Sequence, residues 1–253
     1  MTAAAEPAVV ELVAEFDGGI TWTLAGDSML ECRAHALVDG SGGVWLVDPL
    51  DADGLDELLA PLGTVRGVIV LLDRHLRQAP AVAERFGVPL HVPPGKWRSG
   101  HPRPAGSILL DDDAAGAGDA PPFRFAPLVA RDGQWLEWIL WWSERRVLVV
   151  PEVLGTPSYY APRTGPAGLH PALRLMGAPD SLGPAHGALR DNIAAAPVKI
   201  LVGHGDISGT HDVEHLEQPL QHPRLGLPGL AARMPMIAMR FGRARRNGAR
   251  SGC

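Results

Sequence analysis

Asp73-Arg74-His75-Leu76-Arg77-Gln78 is a polar cluster whose side chains could do chemistry. Its carboxylate and imidazole can hold a metal ion or move a proton. Its two guanidiniums cannot ligate a cation and instead grip carboxylates or phosphates. A second candidate is His204, in Gly203-His204-Gly205-Asp206, a turn that follows an apolar run at once. A third is the pair His211 and His215, four apart and so on one helix face, as two-histidine metal sites are. Asp212, Val213 and Glu214 lie between them, which is not the metalloprotease arrangement, and the pair reads as solvated helix residues. His35, His91, His101, His170, His186 and His222 show no spacing that points to chemistry.

These side chains need elements to hold them. Residues 65–72 are apolar and rich in β-branched types, which predicts a buried strand ending at Asp73. Pro80 opens a helix where its missing N–H costs nothing, Gly87 caps it, and 88–92 begins the next strand. Potential ligands between a strand's carboxyl end and a helix start lie where α/β proteins place their sites.

Upstream, 9–14 and 20–24 read as strands around the hairpin signal Asp17-Gly18-Gly19. Strands at 32–38 and 44–47 flank a Gly-rich turn, and Asp53 is expected to cap a helix through Leu62. Residues 93–122, rich in Pro, Gly and Asp, form a loop insertion that is either a lid or a surface excursion. Strands follow at 123–128, 135–142 and 146–150. Trp135, Trp138, Trp141 and Trp142 share one of them, with packing between layers the expected use. Then come a short helix near 171–176, a helix at 185–196, a strand at 198–202 and a helix from Thr210 to 216. A basic, flexible tail is expected over 236–253.

Composition narrows the classes. With 253 residues, 46% hydrophobic and 20% charged, the chain has material for a core and is not disordered throughout. A net charge of −5 gives no overall pull toward nucleic acid or membrane, so neither is an expected partner. Two cysteines, Cys32 and Cys253, support neither a disulfide framework nor a Cys-type zinc site. The opening residues have no basic n-region, and no run approaches the ~20 apolar residues of a membrane helix, so a cytoplasmic location is expected.

From about residue 37 to 215, the order of elements resembles the metallo-β-lactamase superfamily. The resemblance rests on VWLVDPL at 44–50, VIVLLDRHLRQAPAVAERFGVPLHVP from 68, RRVLVVPEVLG at 145–155 and ILVGHGD at 200–206. It implies an α/β fold, an αββα sandwich of two mixed β-sheets flanked by helices, as one domain over 1–235. In active members a binuclear metal site, usually zinc, lies at one sheet edge. The family's signature after the central strand is His, any residue, His, any residue, Asp, His. Here those places hold Asp73, Arg74, His75, Leu76, Arg77 and Gln78, so only His75 matches. The third histidine falls near Asp132-Gly133, where none stands. The bridging aspartate corresponds to Glu152, and the last histidine to His204.

By resemblance, then, the metal candidates are Asp73, His75, Glu152 and His204. Two functional readings follow. In one the protein has lost the binuclear site, holds no cofactor, and is a non-catalytic or ligand-binding homologue of a small molecule that the sequence does not name. In the other it is an atypical hydrolase with a single divalent ion and a metal-bound water. A carboxylate-heavy set would favour Mn or Fe over Zn. Under the first reading Arg77 takes over the electrostatic role of the lost metal, pairing with Glu152 or Asp73, since clustered carboxylates repel unless a cation sits among them.

Overall fold

In a computed structural model, the structure describes residues 8–27, 30–111, 120–131, 134–157, 159–160, 168–175, 199–206, 208–209 and 227–246. The chain opens with β1 (Val10–Phe16), β2 (Gly19–Leu24), β3 (Ala34–Val38) and β4 (Gly43–Val47), an antiparallel meander. Helix α1 (Leu55–Leu59) leads to β5 (Thr64–Ile69), α2 (Ala79–Phe86), β6 (Leu90–Val92) and β7 (Ile108–Leu109). These last strands add in parallel to complete a seven-stranded sheet in sequence order. The second sheet comprises β8 (Arg124–Arg131), β9 (Trp135–Trp142), β10 (Val147–Val150), β13 (Lys199–Val202) and β14 (Ser208–Gly209), ordered β14-β13-β10-β9-β8. Only β10 and β13 in it run parallel. Between them in sequence lie the short pair β11 (Leu154–Gly155) and β12 (Gly168–Leu169), then α3 (Pro171–Leu175). Helix α4 (Leu227–Arg246) follows.

Strand alternation builds three apolar layers. Val47, Ile69, Leu71, Val147 and Val149 face one another between the sheets, with Trp45, Phe123 and Trp142. Their neighbours Leu46, Val68 and Val70 point outward beneath α1 and α2. Leu148, Val150, Ile200 and Val202 point to the other outer face, with Leu169 and Leu173. A strand buried on both faces must be apolar throughout, which is why 68–72, beyond the exposed Arg66, reads as an unbroken apolar run. The result is the expected sandwich of two mixed sheets with helices outside.

Local signals mostly translate directly. Gly87 caps α2 in the left-handed region (φ 65°), its N–H donating to the Ala83 and Glu84 carbonyls. Trp135 and Trp142 are buried in different apolar clusters, so the tryptophans do pack between layers. Asp53 does not cap α1. The N-cap is Gly54 (φ 87°), without a side-chain bond, and the Asp53 carbonyl instead accepts from the Val10 N–H of the edge strand. Residues 236–246, read as tail, continue α4 through Pro235. Cys32 is buried. The helices expected at 185–196 and 210–216, with His211 and His215, lie outside the described residues.

Candidate functional site

The parallel strands β4, β5, β10 and β13 end at one edge of the sandwich, and each delivers a polar side chain there. Asp48 follows β4, Asp73 to Arg77 follow β5 by way of a short 3-10 turn (Asp73–His75), Glu152 follows β10, and His204 follows β13. The crossing segment at residues 31–33 ties the two sheets together at this edge. The Arg33 N–H donates to the Gly203 carbonyl, and the Gly205 N–H to that of Glu31. Gly203 lets the histidine turn close onto its neighbours. A Cβ there would lie 2.1 Å from the Pro151 carbonyl oxygen and 2.8 Å from Cε1 of His75.

Two of the predicted residues meet. Nε2 of His75 and Nε2 of His204 lie 3.3 Å apart, both rings buried. Nδ1 of His75 is 3.0 Å from Oδ2 of Asp48, and Nδ1 of His204 donates to the Leu30 carbonyl at 2.9 Å. Burial, reinforced for His75 by the Arg77 and Arg74 charges and for His204 by His75, pushes both histidines well below the usual imidazole range. Burial also raises Asp48 to about 6, against the opposing pull of Arg77 and the Leu71 N–H.

The other two predicted residues belong to a separate knot of charge. Asp73 is fully buried, and its Oδ2 accepts the Arg98 N–H at 3.1 Å. Glu152 is held by Arg74 at 2.8 Å, while Nε2 of His170 lies 3.5 Å from its other oxygen. The Arg74 guanidinium stacks 3.6 Å over the Trp135 ring. Burial raises Glu152 above the usual carboxylate range, with Arg74 working against it. The cation in direct contact with Glu152 is thus Arg74, and the Arg77 charge also acts on that carboxylate. Arg77 sits in the left-handed region (φ 42°) and donates from one nitrogen to the backbone carbonyls of Asp48 (2.8 Å) and Arg33 (3.1 Å).

Sequence reasoning passed over two buried carboxylates. Asp48 orients His75; its signal was an acid ending the apolar run VWLVDPL. Glu137 lies inside the tryptophan-rich β9, fully buried. It accepts from the Trp135 indole and from the backbone N–H groups of Glu152 and Val153, each at 2.8 Å. Burial pushes it up to about 7 despite these donors. An acid alone in an otherwise apolar strand was the cue.

The residues at the family's ligand places differ in charge from a set of metal donors. Arg77 brings a permanent cation where an acidic ligand would be needed, and Gln78 is only a neutral donor. Among the described residues no three His, Cys, Asp or Glu side chains converge as a metal-holding group. The place of the family's third histidine, Asp132-Gly133, lies outside them.

Two mixed sheets packed face to face under outer helices, with polar groups gathered at the ends of the parallel strands, define an αββα sandwich; the chain has the metallo-β-lactamase fold. It is similar in structure to a metallo-β-lactamase from Erythrobacter litoralis, at 16% identity over 84% of this chain and 92% of that one, with a TM-score of 0.53. FIM-1 from Pseudomonas aeruginosa, solved in a mono-zinc form, matches at 14% identity over 85% and 96%, with a TM-score of 0.56. A metallo-β-lactamase from Pontibacter korlensis matches at 11% identity over 84% and 99%, with a TM-score of 0.53. No protein-family model matches the sequence, and no curated protein matches it.

Proposed function

We propose that this protein is a non-catalytic, ligand-binding homologue on the metallo-β-lactamase fold, in which guanidinium groups hold the acids that a metal pair would otherwise hold. The observation that carries the reading is Arg74 lying 2.8 Å from Glu152 and stacked on Trp135. Arginine stays protonated at any working pH, so this cation cannot leave to admit a metal. Arg77 adds a second, partly buried guanidinium, and each positive charge raises the cost of bringing another cation between them.

The ligand class follows from atoms left over. Oδ1 of Asp73, Nε of Arg74 and Nε of Arg98 are buried without a hydrogen-bond partner among the described residues. Such atoms are satisfied by a polar ligand and not by an apolar one.

A second reading has one observation in its favour. His75 and His204 each turn Nε2 toward the same point while Nδ1 is anchored by a carboxylate or carbonyl, the outer support that metal-binding histidines use. That would suit an atypical hydrolase with one metal ion. Elemental mass spectrometry on protein purified without chelators, then again after loading with Zn, Mn or Fe, separates the two. We expect no tightly held metal under any loading. About one equivalent, lost on His75→Ala, would overturn the first reading in favour of the second.

A further inference from the structure

Helix α4 stands apart from the rest of the chain in its charge. Residues 227–246 contain Arg233, Arg240, Arg243, Arg245 and Arg246 and no acidic residue, in a protein whose net charge is −5. Arg174 of α3 lies close enough to Arg233 for the two charges to repel, so the positive field extends onto the neighbouring helix. The helix is anchored at its start by Leu230, which is buried.

Its outward side is apolar where it should be wet. Met236 is 44% and Met239 58% exposed, among the few large hydrophobic side chains that the described residues leave open. Arg240, Arg243 and Arg246 continue from these two at spacings of three and four, the spacing that shares one stripe of a helix. The helix sequence therefore runs from two exposed, flexible thioethers to a closing stretch rich in arginine.

We propose that α4 binds the surface of an anionic phospholipid membrane. Arginine fits lipid phosphates, and each basic residue near such a surface adds to attraction that salt screens. Unbranched methionine side chains can enter the boundary between headgroups and acyl chains, and apolar burial there supplies the rest of the binding. The helix lies on the surface and does not cross it. No helix among the described residues is long and apolar enough to span a bilayer. Nucleic acid would answer the arginines but leaves the two methionines without a role.

The test is co-sedimentation of the full chain with vesicles of phosphatidylcholine alone, or with about a third phosphatidylserine. We expect binding only to the mixed vesicles, reversed by high salt. The combined variant R240E, R243E and R246E should lose binding about tenfold or more. M236S with M239S should weaken it several-fold, with circular dichroism unchanged in both variants. No binding to phosphatidylserine vesicles overturns the proposal. So does binding to a DNA duplex in preference to vesicles, with M236S and M239S having no effect.

Discussion

Nε2 of His75 faces Nε2 of His204 at 3.3 Å, each ring fixed from behind through Nδ1. If both Nδ1 atoms carry their proton, two lone pairs point at each other between buried rings, and moving a proton to Nε2 of one ring or the other relieves this. Asp48, raised to about 6 by burial, is placed to govern which. Replacing it by Asn keeps an acceptor for the Leu71 N–H at Oδ1 and turns a donor toward Nδ1 of His75. Asp48→Asn should move the His75 proton to Nε2, where it bonds to His204. Long-range nitrogen–proton NMR reads the tautomer directly, and an unchanged Nδ1–H form would refute the assignment.

Arg74 joins Glu152 to the face of Trp135. Arg74→Met keeps much of the stem's packing but strands a buried carboxylate. Urea unfolding should show a loss of about 2 kcal/mol or more. Adding Glu152→Gln to Arg74→Met should restore most of it; if the double variant is no better than the single, the ion pair is not what matters.

Glu137 accepts three N–H donors from two directions. Glu137→Gln keeps the shape but places an NH2 group opposite at least one of them. The expected cost is about 1–3 kcal/mol. Amide exchange at Glu152 and Val153 should rise with it, since their N–H groups bond to Oε1.

Gly203 has no room for a methyl group, because its would-be Cβ meets a backbone oxygen that cannot rotate away. Gly203→Ala should cost about 3 kcal/mol and shift the His75 and His204 ring signals together. The same change at Gly87, where a Cβ would meet nothing within 4 Å but φ is +65°, should be milder and leave those signals in place.

Buried histidines set the acid limit. Burial lowers His35 to about 3 and His91 to about 4, against an ordinary value of 6.5. The unfolded chain therefore takes up these protons first. Stability is fully present above about pH 6.5 and falls as pH drops toward 4. His91, edge-on to Trp45, has no partner on Nε2. His91→Phe should flatten this part of the stability profile; an unaltered slope would mean His91 is not charged on unfolding.

The order of strands and helices was readable from the sequence because its signals are local. Residues 68–72 announce a doubly buried strand by being apolar at every position, and Pro80 and Gly87 bracket α2 through backbone constraints that each carries alone. The sandwich itself came from the resemblance that those elements, in that order, bear to the metallo-β-lactamase superfamily. His75 and His204 could also be picked out, because each stands at a ligand place of the family that the chain resembles. Which charges pair could not be. Arg74 and Arg77 are three residues apart in a tight turn, and only the distant placement of Glu152 and Trp135 assigns Arg74 to them, leaving Arg77 on backbone carbonyls. Asp48 and Glu137 likewise gain meaning from partners brought together by the sheets. Local chain geometry is set by neighbours in sequence, whereas pairing of buried charges is set by which strands end side by side.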